Sequence, residues 1–189
     1  MEPGWVHKMA RMSAIDTVRL ALPQEADDIA RIQRRAWSDD GVRAAGAAEV
    51  SADEATRAWH EAIVKPPLAQ LRVLVAIAEA GVAGFIVTGP SGDPDLSSSD
   101  GYVAEFIVDP KHRKQGHGSR LINAAVDTLR KDGFTVATMW VPSAADDVRA
   151  FLISCGWAPD GAHQKVGLTD DESQAVKMIR FHTDISLPG

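Results

Sequence analysis

The sequence predicts a single α/β domain in which helices cover both faces of one mixed sheet. Three observations lead to this fold class. Strand-like and helix-like segments follow one another in an order typical of layered folds. The chain of 189 residues is long enough to bury one good core, and no repeat or convincing linker divides it. We therefore expect one domain over residues 16–189, preceded by a flexible extension over residues 1–15.

The N-terminal part predicts a strand and two helices. A short strand over residues 17–22 precedes a helix over residues 24–37, which has acidic residues at its start and apolar residues at near-helical spacing. After a loop, Ser51 and Glu54 form a capping-box pattern, so a second helix begins there. Pro66 and Pro67 end this helix.

The middle of the chain predicts a hairpin, a further strand and a long helix. Two β-rich runs, residues 72–78 and 82–88, are joined by a short Gly-containing turn. A polar loop over residues 89–101 leads to a strand over residues 102–108. A helix follows over residues 116–131. The C-terminal part adds a strand over 135–141, a short helix over 145–154, and strands over 163–168 and 175–182.

Composition and charge limit the classes of function. The net charge of −6 argues against a general nucleic-acid binder, because phosphate backbones attract basic surfaces. No apolar run reaches the roughly 18 residues of a membrane-spanning helix, and the N-terminus lacks the apolar region of a signal peptide. The single cysteine, Cys155, excludes an internal disulfide. We expect a cytoplasmic protein with neither membrane nor nucleic-acid partners.

The most informative segment covers residues 103–121. An apolar run ends at Asp109-Pro110, passes through a basic loop with two glycines, and enters an amphipathic helix. A helix N-terminus that follows such a loop favours a phosphate or pyrophosphate, because its unpaired N–H groups and its dipole attract anions. Gly116 and Gly118 allow the backbone to approach the ligand closely. Positive side chains are supplied by Arg113, Lys114 and Arg120.

Two other phosphate-binding motifs do not fit this segment. A dinucleotide fingerprint requires a third glycine where Leu121 stands, and a P-loop requires a lysine that Gly116-His117-Gly118-Ser119 lacks. Judged on local pattern alone, a tight strand-to-helix turn with solvated basic residues stays open as an alternative.

The flanking residues resemble the acyl-CoA-binding motif of the GNAT acetyltransferase superfamily. That motif is a strand, then Arg/Gln-x-x-Gly-x-Gly/Ala, then a helix, and the segment from Arg113 to Gly118 fits it at every defined position. Downstream, the segment from Phe151 to Trp157 is similar to the family's Phe-Tyr-x-x-x-Gly-Phe segment. The resemblance covers roughly residues 16–181.

The resemblance implies a mostly antiparallel sheet whose two middle strands splay apart. The splay would lie between the strand segment 105–108 and the segment 139–141, with the pantetheine arm of acetyl-CoA in the opening. Backbone groups of Phe106 and Val108 would bond the pantetheine, and N–H groups of the loop would hold the pyrophosphate. The implied acetyl-CoA-binding residues are Phe106, Ile107, Val108, Arg113, Lys114, Gln115, Gly116, His117, Gly118, Ser119 and Arg120. No metal is implied.

Glu105 is the candidate general base, because an attacking amine must lose a proton. It is the one ionisable side chain between Tyr102 and Val108, and family members often carry a base-like glutamate on this strand. Strand periodicity places it on the face opposite Ala104 and Phe106. A solvated or salt-bridged glutamate is the alternative interpretation.

The usual general acid of the family is missing. Leu152 stands where members often have tyrosine, and Ala145 stands where they often have asparagine. The sequence leaves three kinds of substitute open: Ser143 or Ser154, Tyr102, or bulk water together with the amide that stabilises the oxyanion.

The acceptor pocket has the weakest signature. Acidic residues in the predicted loops favour a cationic amine if they line the pocket, although solvated acids are the simpler interpretation. These residues are Asp39, Asp40, Asp93, Asp95, Asp100, Asp170, Asp171 and Glu172. Trp37 and Trp59 are expected either in the core or in an aromatic wall. His112 and His117 are expected to be exposed in the loop, and Cys155 to be a buried thiol.

Together these features predict an N-acetyltransferase that moves an acetyl group from acetyl-CoA to a primary amine by direct attack, with a small-molecule acceptor favoured. A route through an acetylated Cys155 is a minor alternative. Two others stay open: a non-catalytic acyl-CoA-binding or regulatory domain, and an acetyltransferase for protein lysines or N-termini. The resemblance also leaves a homodimer open.

Overall fold

The computed structural model describes residues 17–38, 43–167 and 175–187. Within them, seven strands form one sheet. The strands are β1 (Val18–Leu20), β2 (Arg72–Ala78), β3 (Gly81–Pro90), β4 (Asp100–Val108), β5 (Val136–Pro142), β6 (Ala158–Val166) and β7 (Val176–Asp184). The α-helices are α1 (Ala26–Ser38), α2 (Arg43–Glu49), α3 (Ala52–Val64), α4 (His117–Lys131) and α5 (Asp146–Ser154). Short 3-10 turns precede α1 and follow β4. The predicted extension over residues 1–15 lies outside the described residues.

The sheet is mixed and mostly antiparallel, as predicted. Its strand order is β1-β2-β3-β4-β5-β7-β6. All neighbouring strands are antiparallel except β4 and β5, which are parallel and are connected through α4. A parallel pair needs such a crossover, because a tight turn cannot join two strands that run in the same direction. The predicted α/β fold class is therefore confirmed.

Two apolar clusters cover the two faces of the sheet. On one face, Leu121 and Leu129 of α4 pack with Val103 of β4 and Phe181 of β7. On the other face, α1 packs with β2, β3 and Ile107 of β4, and α3 adds partly buried residues. The larger cluster lies against the middle of the sheet, so the parallel β4–β5 pair is held from the α4 side.

Two elements differ from the prediction. The loop expected before Ser51 contains α2, a seven-residue helix that carries too little apolar periodicity to be found by pattern. The strand predicted over residues 163–168 begins earlier, at Ala158, because the bulged β6–β7 pairing accommodates Pro159 and Gly161. Leu168 lies outside the described residues. The capping box of Ser51 and Glu54 is confirmed.

In the described part of the chain, no helix is both long enough and apolar enough to cross a bilayer.

Candidate functional site

The two middle strands part halfway along the sheet. β4 and β5 pair from Asp100↔Val136 to Val103↔Met139, and no further rung follows. Yet β4 continues to Val108 against β3, and β5 continues to Pro142 against β7. The C-terminal halves of the two strands therefore border a gap, and the splay implied by the resemblance is present.

A β-bulge at the start of this gap determines where Glu105 points. Thr88 pairs with Val103 and Val87 pairs with Glu105, so Ala104 is the extra residue on β4. Val103 belongs to the cluster under α4, whereas Ile107 belongs to the cluster under α1. Glu105 shares the Ile107 face because the bulge reverses the alternation. Uninterrupted periodicity would have placed Glu105 on the Val103 face.

The β4 edge that borders the gap exposes backbone groups at alternate residues. The Asp109 N–H donates to Ala83 O on β3 at 2.9 Å. Because successive residues of a strand direct their N–H and C=O groups to opposite sides, Ile107 also faces β3, while Phe106 and Val108 face the gap. These two residues can pair with an extended amide-containing ligand, as the resemblance implies.

The gap leads to the N-terminus of α4. Gly116 is the N-cap with φ +83°, and Lys114 also has a left-handed φ of +59°. The first hydrogen bond of the helix runs from the Arg120 N–H to Gly116 O at 3.2 Å. The N–H groups of Gly118 and Ser119 therefore have no acceptor within the helix and point from its N-terminus. This geometry suits an anionic group.

Gly118 lies beside two aromatic rings that border the same cleft. The rings of Phe106 and Phe151 stack with centroids 5.8 Å apart. A Cβ at position 118 would lie 3.3 Å from Phe151 Cζ and 3.5 Å from Phe106 Cζ. The cleft has a volume of about 600 Å³ and extends from Arg113 and Gly116 to Glu105. The groups present fit a phosphate-bearing, extended donor such as acetyl-CoA.

Most of the predicted donor-binding residues line this cleft. The lining includes Phe106, Ile107, Val108, Arg113, Lys114, Gly116, Gly118 and Ser119. The other three predicted residues are Gln115, His117 and Arg120, and their side chains contact the loop or one another. Gln115 donates to Lys111 O at 3.2 Å, and Arg120 lies 3.1 Å from His117 Nδ1. The expectation that His117 is exposed is wrong, because only 2% of it is accessible.

Asp109 anchors the start of the loop that connects β4 to α4. Its carboxylate accepts the Lys111 N–H at 3.1 Å and two bonds from Arg35 of α1, at 2.9 and 2.7 Å. Burial raises the pKa of Asp109, but the Lys111 N–H and the Arg35 guanidinium outweigh it, so the net pKa is lowered. The loop is therefore tied to the helix layer on the opposite face from α4.

Glu105 lies at the inner end of the gap and is mostly buried, with 17% of its side chain exposed. Its Oε1 is 3.3 Å from an Arg43 nitrogen and 3.5 Å from Trp37 Nε1. Burial raises its pKa, and this effect exceeds the lowering by Arg43, Trp37 and Gln33. A carboxylate with a raised pKa in a cleft suits proton abstraction, because its pKa lies closer to the working pH.

Leu152, at the position where the family often has tyrosine, faces the core. Leu152 is 0% exposed, and its neighbour Phe151 borders the cleft instead. Of the substitutes predicted for the acid, Ser154 donates to Phe151 O at 2.6 Å. Ser143 and Tyr102 are absent from the described residues that line the cleft.

The acidic loop residues that the structure describes are held by other groups of the protein. Asp93 and Asp95 pair with the buried Arg180 of β7 at 3.1 and 2.6 Å. Asp100 accepts from the N–H and the hydroxyl of Ser97. These three carboxylates are therefore engaged within the protein, and they are absent from the described residues that line the cleft. The other acids considered, Asp39, Asp40, Asp170, Asp171 and Glu172, lie outside the described residues.

The two tryptophans have different surroundings. Trp37 borders the cleft beside Glu105, whereas Trp59 packs edge-on against Phe85 with ring centroids 5.0 Å apart. Cys155 packs against the main core and is absent from the described cleft lining. No group of three or more metal-binding side chains occurs among the described residues.

Sequence reasoning missed Arg43, Trp140 and Arg180. Trp140 borders the cleft, and Arg180 contacts its ring. No motif or fixed spacing marks these three residues, because each reaches the site from a different element.

Parted parallel strands that lead from a helix N-terminus to a buried carboxyl define a domain of the acyl-CoA-binding class. The model of the Acetyltransferase (GNAT) family matches residues 27–157. The chain therefore belongs to the GNAT acetyltransferase family, and the predicted family is confirmed.

Curated relatives are mycothiol acetyltransferases. The chain is 32% identical to that of Kineococcus radiotolerans over 120 residues, which are 62% of this chain and 38% of the relative. It is 46% identical to that of Brachybacterium faecium over 57 residues, 30% of this chain and 15% of the relative. The matches thus span well under half the length of these relatives.

Solved structures share the fold at low identity. A putative acetyltransferase, yncA, from Salmonella typhimurium with acetyl-CoA has a TM-score of 0.71 at 20% identity, covering 93% of this chain and 97% of that one. An N-acetyltransferase from Staphylococcus aureus Mu50 has a TM-score of 0.72 at 15% identity, covering 92% and 100%.

Proposed function

We propose that this chain transfers an acetyl group from acetyl-CoA to a primary amine by direct attack. The observation that carries the proposal is the continuous path from the N-terminus of α4, along the unpaired β4 edge, to Glu105. One end of this path suits a pyrophosphate, its middle suits an extended chain of amides, and its inner end holds a base.

The donor is held mainly by backbone groups. N–H groups at Gly118 and Ser119 take the pyrophosphate, with positive charge from Arg113 and Lys114. Phe106 and Val108 pair with the pantetheine amides as a neighbouring strand would. The acetyl-CoA bound in the Salmonella typhimurium neighbour supports this assignment at the level of the fold.

Glu105 accepts the proton that the acceptor amine loses as its nitrogen attacks the carbonyl carbon of the thioester. A carbon–nitrogen bond forms, the carbon–sulfur bond breaks, and the thiolate leaves with the electron pair. Water in the open cleft supplies the proton for the thiolate, because Leu152 offers no hydroxyl. Direct attack is favoured over an acetylated Cys155, which packs against the core.

A small-molecule acceptor is favoured because Glu105 lies deep in the cleft beside Trp37 and Arg43. Because the curated relatives are named mycothiol acetyltransferases, the acceptor of those enzymes is one candidate for the acceptor of this chain. Acetylation of a protein lysine or N-terminus requires the acceptor to be an extended segment that reaches the same carboxylate.

A panel assay tests the function. The wild type is incubated with acetyl-CoA and with amino sugars, amino acids, polyamines, the mycothiol-type acceptor and lysine peptides, while release of the CoA thiol is followed. We expect release with at least one small amine. Cys155→Ala should release thiol at the wild-type rate, and loss of activity in this variant would contradict direct attack.

The apolar Leu152 position favours one competing function, a non-catalytic acyl-CoA-binding domain. This alternative function predicts that calorimetry detects acetyl-CoA binding, while no acceptor in the panel gives release of the CoA thiol. Binding with no turnover across the panel would therefore favour this alternative over the proposal.

A further inference from the structure

Arg180 lies in a buried ionic cluster beside the cleft. Its side chain is 5% exposed and pairs with Asp93, Asp95 and Asp160. A buried guanidinium needs such partners, because leaving a charge unpaired in the interior is strongly unfavourable. The hydrogen bonds that Arg180 donates to Asp95, Asp160 and Asp93, in that order of importance, raise its pKa. The cluster therefore ties the loop between β3 and β4 to strands β6 and β7.

The same cluster holds Trp140 at two points. The Arg180 guanidinium carbon lies 5.5 Å from the ring centroid of Trp140, within the range of a cation–π contact. Trp140 Nε1 donates to Asp93 Oδ2 at 2.9 Å, and Arg180 Nη1 donates to the same oxygen at 3.1 Å. Asp93 thus links the ring nitrogen to the cation that lies over the ring face.

Trp140 stands where the gap opens. It follows Met139, the last β5 residue that pairs with β4, and it lines the cleft. Met139 and Val141 belong to the cluster under α4, so alternation places Trp140 on the opposite face. Glu105 lies on that same face, across the gap.

The position of strand β5 does not depend on this cluster. β5 pairs with β7 at every residue from Val136 to Pro142, and Trp140 pairs with Arg180 within that ladder. The β5–β7 ladder therefore places the strand, and the ring contact and the Nε1 bond determine how the Trp140 indole is oriented on it.

We propose that Arg180, through Asp93, is a positioning residue that fixes the Trp140 indole as the wall of the acceptor site facing Glu105. The proposal rests on the proposed function. The fixed indole favours acceptors whose non-reacting part presents a flat or apolar surface to it, and it limits the width of the group beside the amine.

Asp93 and Asp95 offer a matched pair of variants. Both lie on the same loop and both pair with Arg180, but the Nε1 bond involves Asp93. Asp95 makes two bonds to Arg180, at 2.8 and 2.6 Å, whereas Asp93 makes one at 3.1 Å.

Asp95 is 60% exposed and Asp93 is 23% exposed, so the more buried Asp160, which accepts from Arg180 Nε at 2.6 Å and is 12% exposed, serves as a second control. A merely structural role of the cluster predicts that Asp160→Ala is at least as disruptive as Asp93→Ala, because loss of a more buried ion-pair partner costs more. Positioning of Trp140 predicts the reverse order for acceptor binding.

The kinetic test uses the best acceptor from the panel. Asp93→Ala should raise the KM for the acceptor by about ten-fold, with kcat and the Kd for acetyl-CoA changed less than about two-fold. Asp95→Ala and Asp160→Ala should each change all three less than about two-fold. An effect of Asp160→Ala on the acceptor KM that equals or exceeds that of Asp93→Ala would overturn the proposal.

A spectroscopic test separates this proposal from the proposed function. The near-ultraviolet circular dichroism of the wild type minus that of Trp140→Phe isolates the fixed indole. Asp93→Ala should lose this signal, and Asp95→Ala should keep it. If no acceptor is acetylated, the proposed function fails while the spectra still decide whether Asp93 and Arg180 fix Trp140. A signal that Asp93→Ala retains would contradict the proposal.

Discussion

The proposed donor half and the proposed acceptor half of the cleft are built in different ways. The donor half consists of consecutive residues, from Phe106 through the loop to Ser119, and it uses backbone groups on a strand edge and at a helix N-terminus. The acceptor half is built from side chains of separate elements, among them Trp37, Arg43 and Trp140. Backbone recognition leaves a continuous motif in the sequence, whereas side-chain recognition from distant elements does not.

The largest expected effect comes from a substitution that blocks the donor half of the cleft. Gly118→Trp should weaken acetyl-CoA binding by more than about 100-fold, or about 2.7 kcal/mol. A Cβ there already lies 3.3 Å from Phe151, so the indole must occupy the cleft. Calorimetric titration measures the change. Gly92→Trp is the control, because nothing lies within 4 Å of its Cβ position. Tight binding by Gly118→Trp would show that the donor lies elsewhere.

A second change would alter the acceptor half alone. Arg43→Met removes the positive charge that lowers the pKa of Glu105, so that pKa should rise further. The acid limb of kcat/KM should therefore move to higher pH, with acetyl-CoA binding unchanged. Trp37→Phe removes a weaker influence on the same carboxyl and should produce a smaller shift in the same direction. A limb that moves to lower pH in Arg43→Met would refute the assignment.

The smallest expected effect concerns the ion pair between Asp109, at the start of the loop that connects β4 to α4, and Arg35 of α1. Asp109→Asn should lower the free energy of unfolding near neutral pH by about 1–3 kcal/mol. Because the folded-state pKa of Asp109 is lowered, its contribution is present above the unfolded pKa of about 3.9 and is lost as the pH falls through the folded pKa.

Urea denaturation at neutral and at acidic pH measures the effect of Asp109→Asn. The matched control is Asp28→Asn, whose carboxylate pairs with Arg31 at the surface. It should change stability by less than about 0.5 kcal/mol at either pH. A difference for Asp109→Asn that persists unchanged at acidic pH would contradict the ion-pair account.

The sequence predicted the fold and the strand–loop–helix geometry from β4 to α4 well, because both depend on local pattern. Strand β2 has the predicted bounds, Arg72–Ala78, and α4 begins one residue after the predicted start. The family is confirmed, and the splay is present where the resemblance implied it. The assignments of individual residues to acetyl-CoA binding and to catalysis remain predictions that the variants above test.

The rest depends on contacts that no local pattern contains. The bulge at Ala104 follows from strand register, and it reverses the face on which Glu105 lies. Asp93 and Asp95 resemble solvated loop acids in the sequence, but strand β7 brings Arg180 against them from 87 and 85 residues away. His117 resembles an exposed loop residue, yet it is buried against its own loop and Arg120.

The most direct test of the central claim is the pH dependence of kcat/KM in the wild type and in Glu105→Gln, with the acceptor found in the panel. The wild-type rate should fall at low pH around a pKa above the ordinary glutamate value of about 4.3, because burial raises the pKa of Glu105. Glu105→Gln should bind acetyl-CoA normally, lose about 10²- to 10⁴-fold in kcat, and lack this acid limb. An unchanged acid limb in Glu105→Gln would contradict the account.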